Sequence, residues 1–159
     1  MRSEEWETPH SLFAALNAEF GFERDVCATT ENAKCRRYFD REYDGLAHRW
    51  RGRCWMNPPY SRDIGKWVEK AYHSSCAGAL VVALLPARTD TRWWHDWVMQ
   101  AREIRLMRGR PWFSVNGTRP GRPPFPCVIA VFRGHSFGIN PTVTAWPKAP
   151  PEPTTWDWR

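Results

Sequence analysis

The stretch from Asn57 to Tyr60, which reads Asn-Pro-Pro-Tyr, carries the groups best placed for chemistry. Neither proline has an N–H to donate and both fix φ, so this stretch can neither continue a strand ladder nor enter a helix interior. It holds an amide and an aromatic ring on a stiff support. Asp25 follows an earlier strand candidate, and open parallel sheets bind ligands at the carboxyl ends of their strands. These residues predict a site in which a carboxylate and a rigid amide share one crevice; a purely structural turn is the alternative.

Helix and strand candidates alternate around these residues. The predicted helices lie near 9–20, 64–72 and 89–101, and the predicted strands lie at 22–28, 52–57, 79–86, 103–108 and 126–132. The run 79–86 is continuously apolar, which is typical of a parallel strand covered on both faces. The alternation predicts an α/β layered domain with a largely parallel central sheet flanked by helices.

Short signals predict the ends of the first two helices. Thr8 is the expected N-cap of the first helix, with Pro9 at its first position. Gly21 is expected to end that helix, because glycine readily adopts the left-handed conformation of a C-terminal cap. Ser61 is the expected N-cap of the second helix.

Two segments depart from the alternation. Residues 114–126 are rich in Gly, Pro and Arg, and we expect a long loop there that joins two strands and serves function. From residue 140 onward the sequence is rich in Pro and lacks periodicity. We therefore expect a domain over 1–139 and an extended tail over 140–159, partly ordered because its tryptophans favour burial.

Composition narrows the class of protein. The net charge of +6 and a sequence pI near 9.4 favour an anionic partner, of which nucleic acid is the usual one. The longest apolar run, 78–87, is too short to span a bilayer, and the first residues show no secretion signal. The five cysteines never form a C-x-x-C pair, which favours reduced thiols in the cytoplasm. We expect no metal site, because no paired ligands are present in the sequence.

The motifs, taken together, resemble a known family. A strand that ends in Asn-Pro-Pro-Tyr resembles the catalytic signature of amino-methyltransferases that use S-adenosylmethionine. The order of "WETPHSLFAALNAEFGFERDVCATTENAKC", "DGLAHRW", "NPPYSRDIGKWVEKA", "VVALLPARTDTRWWHDWV", "EIRLMRGRPWF" and "PFPCVIAVF" resembles the small phage-type, or Dam-like, DNA N6-adenine methyltransferases. The resemblance runs from about Trp6 to Phe132. It implies a compact Rossmann-like (class I) methyltransferase domain, acting in the cytoplasm, or in the host cytoplasm for a phage-encoded protein.

The resemblance also implies a catalytic role for each residue of the signature. Asn57 and the Pro58 carbonyl would accept hydrogen bonds from the adenine N6 amine, so that its delocalised lone pair points at the sulfonium methyl group. Pro59 stiffens this support. Tyr60 would hold the adenine ring by stacking after the base has flipped out of the DNA duplex.

The cofactor site follows from the same resemblance. Its implied residues are Trp6, Thr8, Pro9, Asp25, Cys27, Ala28, Thr29, Asp44, Leu46 and Asn57. Thr8 would bind the cofactor carboxylate. Asp44 would accept a hydrogen bond from the amine of the cofactor's adenine, and Leu46 would pack on the adenine ring. Asp40 is a competing candidate for the role of Asp44. The glycine-rich turn of most Rossmann-like methyltransferases is absent, and the residues from Asp25 to Thr29 would stand in for it.

Basic and polar residues beyond the signature are the expected DNA contacts: Arg88, Thr89, Asp90, Arg92, Arg108, Arg110, Arg119 and Arg122. The stretch 88–92 follows the most buried strand candidate, so it opens onto the edge of the site; a helix cap with flanking charges is the alternative. The stretch 108–122 is the densest basic part of the chain and suits contacts to the phosphate backbone. His95 is expected to be structural, because the displacement needs no strong base.

Two other functions stay open at this point. The same signature occurs in enzymes that methylate RNA adenine, cytosine N4 or a glutamine side chain, all of which are planar NH2 groups. A DNA-binding or partner-binding relative that has lost its activity is the alternative from another class, since the cofactor turn lacks glycine.

Overall fold

A seven-stranded sheet forms the centre of the computed structural model, which describes residues 6–115, 118–121, 123–134 and 138–146. The elements are, in order, β1 (Trp6–Glu7), α1 (His10–Phe20), β2 (Arg24–Asp25), β3 (Arg37–Tyr38), β4 (Arg53–Met56), α2 (Ile64–Cys76), β5 (Leu80–Pro86), α3 (Arg92–Asp96), a 3-10 helix (Val98–Gln100), β6 (Glu103–Met107), β7 (Phe113–Val115), β8 (Thr118–Gly121), β9 (Cys127–Arg133) and β10 (Thr142–Trp146). The central sheet has the order β10-β6-β9-β5-β4-β2-β3. Within the described residues, β9 alone runs antiparallel to its neighbours in this sheet. The predicted mixed α/β domain with a mostly parallel sheet is confirmed.

Helices cover both faces of this sheet, which explains the apolar run of β5. Val81, Ala83 and Leu85 face the core shared with α2 and α3, whereas Val82 and Leu84 face the core shared with α1. Every residue of β5 after the first is buried. Because successive side chains of a strand point to opposite faces, a strand covered on both sides must be apolar at every position.

The ends of the helices differ in part from the predicted caps. Gly21 ends α1 as expected: it adopts φ 62°, and its N–H donates to the Asn17 carbonyl at 2.8 Å. Thr8 is not the N-cap, because α1 begins at His10 with Pro9 in the capping position, and no side chain caps it. In α2, Asp63 takes the N-cap position that was predicted for Ser61.

The predicted loop over 114–126 contains regular structure instead. β7 and β8 form an antiparallel hairpin, and β1 joins β7 antiparallel, which gives a second sheet of order β1-β7-β8. Glycine and proline in this stretch concealed the strand signal, since both residues are rare inside strands.

The chain after residue 139 returns to the central sheet. β10 pairs in parallel with β6 over all five of its residues, so the boundary predicted at 139/140 lies before the last described strand. Trp146 is half-buried against the core on the α1 side. Trp156 and Trp158 of the predicted tail lie outside the described residues.

Two further elements differ from the prediction. The helix expected over 89–101 is interrupted at Trp97, whose φ of −125° separates α3 from the 3-10 helix. The strand β3 lies at the edge of the central sheet, in a stretch without periodicity that the sequence did not predict. In the part of the chain that the structure describes, no helix is long and apolar enough to cross a membrane.

A largely buried arginine ties α1 to the sheet. Arg105 on β6 donates to both carboxylate oxygens of Glu19 at 2.7 and 2.6 Å, and its Nε donates to Glu103 at 2.8 Å. Its guanidinium also lies 5.2 Å from the centre of the Phe20 ring. The two carboxylates satisfy the charge that is buried here, and the packing fixes α1 against the sheet.

Candidate active site

A cleft opens at the carboxyl ends of β2 and β4, where the sequence placed the site. It encloses about 840 Å³ of space, its open mouth included. The residues that line it are Trp6, Glu7, Thr8, Asp25, Cys27, Ala28, Thr29, Asn32, Lys34, Phe39, Asp40, Arg41, Asp44, Gly45, Trp55, Asn57, Pro58, Pro59 and Trp67. β2 and β4 are neighbours in the sheet, so Asp25 and Asn57 do share one crevice.

The orientation of the Asn57 amide is fixed from the N-terminal side of the chain. Its Nδ2 donates to the Trp6 carbonyl oxygen at 2.6 Å and to the Thr8 hydroxyl oxygen at 3.0 Å. Its Oδ1 is buried and has no hydrogen-bond partner among the described residues. A buried acceptor without a partner costs free energy unless a ligand or a water molecule supplies the donor, so this oxygen is a candidate recognition group.

Asp25 is a buried carboxyl group in the same cleft. One oxygen accepts the Cys27 N–H at 3.2 Å and the other accepts the Lys34 N–H at 3.1 Å. Burial raises the pKa of Asp25 to about 7, against the lowering effect of these two hydrogen bonds and of the Lys34 charge. A cationic ligand bound beside this carboxyl group would favour its charged form and lower its pKa.

The turn after β2 is held together without glycine. The Thr29 N–H donates to Asn32 Oδ1 at 2.7 Å, and the Asn32 N–H donates to Thr29 Oγ1 at 3.2 Å. These reciprocal bonds resemble those of a capping box, and they close the turn through side chains. Cys27, Ala28 and Thr29 line the cleft from this turn.

Part of the cleft lining is aromatic, which the sequence does not predict. Phe39 and Trp67 line the cleft together with Gly45. A Cβ atom on Gly45 would collide with the Val26 carbonyl oxygen and press on the Trp67 ring at 3.2 Å, so this position requires glycine. Trp67 belongs to the apolar stripe of α2, where its spacing is that of a core residue; this is why its place in the wall could not be predicted.

Both acids proposed for the cofactor's adenine line this end of the cleft. Asp44 has a φ of 48°, in the left-handed region, and its Oδ1 accepts the Leu46 N–H at 3.1 Å. Asp40 Oδ1 accepts the N–H groups of Glu42 and Tyr43, each at 3.0 Å. The geometry keeps both acids as candidates.

Three of the predicted catalytic and cofactor residues lie outside the cleft lining. Pro9 is occupied as the N-cap of α1, and Leu46 is half-buried in the turn that follows Asp44. Tyr60 lies beside the cleft, where its hydroxyl donates to the Leu84 carbonyl at 3.3 Å.

Tyr60 belongs to an aromatic cluster next to the cleft. Its ring contacts Phe125 at 5.5 Å and Phe113 at 6.4 Å between centroids, edge to face. Trp6 contacts the same two phenylalanines at 6.4 and 5.5 Å. Burial raises the pKa of Tyr60 well above its usual value, so the phenol stays neutral. The hairpin side of the molecule therefore supplies aromatic surface beside Asn57.

Of the predicted DNA-contact residues after β5, Arg88 contacts this cluster. The Arg88 guanidinium lies 5.5 Å from the centre of the Phe125 ring. Thr89 and Asp90 are exposed. His95 Nε2 lies 2.8 Å from the Thr89 carbonyl oxygen, which gives the histidine a structural contact in the loop.

The cations that line the cleft among the described residues are Lys34 and Arg41, neither of which belongs to the predicted site. Arg92 lies on α3, where its Nε donates to Asp96 at 3.1 Å while its side chain is 93% exposed. A surface pair of this kind is weak and leaves the guanidinium accessible.

The later basic residues lie towards the hairpin. Arg108 and Arg110 are exposed, and Arg110 Nη1 donates to the Pro123 carbonyl at 3.3 Å. Arg119 belongs to β8, and Arg122 lies outside the described residues. Among the residues that the structure describes, no group of His, Cys, Asp and Glu side chains could hold a metal ion.

Comparison with known proteins finds a family model and relatives that share one description. The sequence matches the family model described as DNA N-6-adenine-methyltransferase (Dam) over residues 1–132. It is 34% identical over 102 residues to the DNA N-6-adenine-methyltransferase of Haemophilus phage HP1 (strain HP1c1), which covers 62% of this chain and 59% of that protein. It is 36% identical over 104 residues to the DNA N-6-adenine-methyltransferase of Escherichia phage T1, which covers 62% of this chain and 42% of that protein. The chain thus spans about half the length of these relatives.

Proposed function

Because the chain belongs to the Dam family of DNA N-6-adenine-methyltransferases, we propose that it transfers a methyl group from S-adenosylmethionine to N6 of adenine in DNA. The observation that carries this proposal is the Asn57 Oδ1 atom, which is buried without a partner among the described residues, on a residue that lines the cleft. An amine N–H of the substrate would supply the missing donor. The strand order, with β9 antiparallel among parallel neighbours, supports a Rossmann-like (class I) methyltransferase domain.

Asn57 and Pro58 would prepare the amine for attack. The nitrogen lone pair of adenine N6 is delocalised into the ring, so the amine is a poor nucleophile until acceptors localise that pair. Asn57 Oδ1 would accept one N–H, and the Pro58 carbonyl would accept the other. Pro59 keeps the support rigid, which limits the reorganisation that is needed as positive charge develops on nitrogen. The proton can leave after transfer, so no strong base is required.

Tyr60 would hold the flipped base. Its hydroxyl and ring edge are held by Leu84, Phe113 and Phe125, so the ring has a fixed orientation next to Asn57. Stacking of a base on an aromatic ring contributes about 1–3 kcal/mol, which helps to offset the cost of unstacking the base from the duplex.

The residues that line the cleft suit the chemistry of S-adenosylmethionine. The cofactor would supply an electrophilic methyl group on a sulfonium centre. Asp25 offers a buried carboxylate to its cationic part, and Cys27, Ala28 and Thr29 would line its path. Phe39 and Trp67 offer apolar surface to its purine. Two further residues that the resemblance assigns to the cofactor, Trp6 and Thr8, line the cleft and remain proposed contacts. Pro9 and Leu46 lie outside the lining.

Asp44 or Asp40 would accept a hydrogen bond from the cofactor's adenine amine, since both carboxylates line the cleft. The two assignments differ in their consequence. Replacing the acid that accepts the hydrogen bond from this amine should lower the affinity for the cofactor. Replacing the other acid should leave that affinity nearly unchanged. Arg88, Thr89, Asp90, Arg92, Arg108, Arg110, Arg119 and Arg122 remain the proposed DNA contacts.

The function is tested with labelled S-adenosylmethionine and plasmid DNA that lacks adenine methylation. We expect label in N6-methyladenine after the DNA is digested. Asn57→Ala should lower the transfer rate at least about 100-fold, because it removes a preorganised acceptor at the reacting nitrogen. Cofactor affinity should change little, and Asn17→Ala serves as a control for an asparagine on α1, outside the cleft lining.

Each alternative gives a different result in this assay. Label that appears only in RNA or protein identifies another planar amine as the substrate. Cofactor binding without transfer to any substrate identifies an inactive relative. An Asn57→Ala protein that transfers methyl groups at the original rate contradicts the assigned role of the amide.

A further inference from the structure

The Asn57 amide is held by a distant part of the chain. Its two hydrogen-bond acceptors, the Trp6 carbonyl and the Thr8 hydroxyl, lie 51 and 49 residues away in sequence. The residues that flank Asn57 provide rigidity, but the amide can still rotate about its own side-chain bonds. The segment 6–8 therefore determines which way the amide is turned and leaves its Oδ1 without a partner among the described residues.

The hydrogen-bond acceptors of the segment 6–8 allow only one orientation of the Asn57 amide. A backbone carbonyl can only accept a hydrogen bond, so the atom that contacts the Trp6 oxygen at 2.6 Å must be Nδ2. Rotating the amide by 180° would place Oδ1 against that carbonyl and put Nδ2 where the unpartnered Oδ1 now lies. The substrate amine would then meet a donor instead of an acceptor. Thr8 is 4% exposed, and its Oγ1 lies 3.0 Å from Nδ2, which adds a second acceptor on the same side.

The segment 6–8 is in turn held by the hairpin of β7 and β8. β1 pairs with β7, with Trp6 opposite Val115 and Glu7 opposite Ser114. The Ser114 hydroxyl donates to Glu7 Oε2 at 2.9 Å, across 107 residues of sequence. The Trp6 ring packs on Phe113 at 5.5 Å, and Phe113 is fully buried. The hairpin thus reaches the amide through one short strand.

We propose that Thr8 is a positioning residue for the Asn57 amide, and that β1 couples the placement of the β7–β8 hairpin to the reacting centre. Thr8 acts through Asn57 and need not touch the cofactor, which distinguishes this role from the carboxylate contact that the family resemblance implies. The kinetic consequence rests on the proposed function. The structural consequence, that the Asn57 amide has a fixed orientation, does not depend on the proposed function.

The main test compares Thr8→Val with Thr8→Ser. Valine keeps the shape and removes the acceptor, whereas serine keeps the hydroxyl. We expect Thr8→Val to lower kcat for DNA methylation about tenfold, with the KM for the cofactor changed less than about twofold, since one hydrogen bond is lost. Thr8→Ser should recover most of the rate. Thr144→Val is the matched control, because the Thr144 hydroxyl is buried without a partner among the described residues and lies on β10.

Nuclear magnetic resonance of the side-chain amide provides a readout that does not depend on activity. The NH2 resonances of Asn57, identified by their absence in Asn57→Ala, should shift or broaden in Thr8→Val and stay in place in Thr8→Ser and Thr144→Val. If the wild-type protein methylates no adenine, the proposed function fails, yet these spectra still test the fixed amide.

Ser114→Ala tests the coupling to the hairpin. It removes the donor to Glu7 without touching Asn57, and we expect the Asn57 resonances to shift and kcat to fall severalfold at unchanged cofactor KM. Unchanged spectra and kinetics in Ser114→Ala overturn the coupling. A Thr8→Val protein whose cofactor affinity falls tenfold at unchanged kcat overturns the positioning role and makes Thr8 a cofactor contact.

Discussion

The buried carboxyl group of Asp25 makes a quantitative prediction about stability and pH. Its pKa rises from 3.8 to about 7 on folding, chiefly because burial disfavours the charged form. Between these two values the folded state binds more protons than the unfolded state, so the free energy of unfolding must fall as the pH rises. The stabilisation is complete below pH 3.8 and is lost by the time the pH has passed about 7.

The size of the effect follows from the shift. Three pKa units correspond to about 4 kcal/mol at 1.36 kcal/mol per unit, and about 3 kcal/mol of this falls between pH 4.5 and 8.5. Asp25→Asn removes the ionisation. It also turns one acceptor into a donor opposite a backbone N–H, which costs about 1–3 kcal/mol at every pH. The difference in unfolding free energy between wild type and variant should therefore shift in favour of the variant by about 3 kcal/mol from pH 4.5 to 8.5.

Urea denaturation at five pH values between 4.5 and 8.5 measures this difference. All other titrating groups are common to both proteins, so their contributions cancel in the comparison. Asp63→Asn, at an exposed carboxylate paired with Lys66, controls for the removal of a surface charge. A difference between wild type and Asp25→Asn that stays constant across the range would refute the reasoning, because it would mean that burial in the cleft does not penalise the carboxylate.

Three further predictions concern packing, the ion network and DNA binding. Gly45→Ala should lower the free energy of unfolding by about 2 kcal/mol, measured by urea denaturation, because the added methyl group collides with a backbone carbonyl and an indole ring. Glu19→Gln should cost about 1–2 kcal/mol by the same method, less than a fully buried pair because Glu19 is 47% exposed. Glu69→Gln, which loses only an exposed histidine contact, should change stability by less than about 0.5 kcal/mol. Replacing Arg108 and Arg110 together by glutamine should reduce the slope of log K for DNA against log salt by about 2, as fluorescence anisotropy would show.

The parts of the fold that the sequence predicted are those with long, regular patterns. The helices around Leu12 and Val68 and the apolar strand β5 each carry several residues at one periodicity. β3 has only two residues, too few for a period to show. β1 depends on pairing with a hairpin more than one hundred residues away, and no local signal encodes such a partner. The antiparallel direction of β9 likewise follows from chain topology, because its side-chain pattern is that of any buried strand.

The site shows the same division between local and long-range information. Asp25 and Asn57 can be placed in one crevice because each lies at the carboxyl end of a strand. The aromatic wall could not be predicted, since Trp67 has the spacing of a core residue and Phe39 follows an unrecognised strand. The sequence predicts Thr8 as a helix cap, because Thr-Pro before an apolar helix is the usual capping signal. Its hydroxyl instead accepts from Asn57, a contact that only the folded chain creates.

The shortness of β1 has a consequence for how the molecule responds to heat. Only two residues of β1 pair with β7, whereas Asn57 itself follows β4, an interior strand of the seven-stranded sheet. Short peripheral pairs open by local fluctuation long before a protein unfolds globally. The amide of Asn57 therefore keeps its orientation only as long as β1 stays paired, while the backbone that carries it survives to much higher temperature. Order at this residue is lost in two stages, first in the direction of one side chain and later in the sheet.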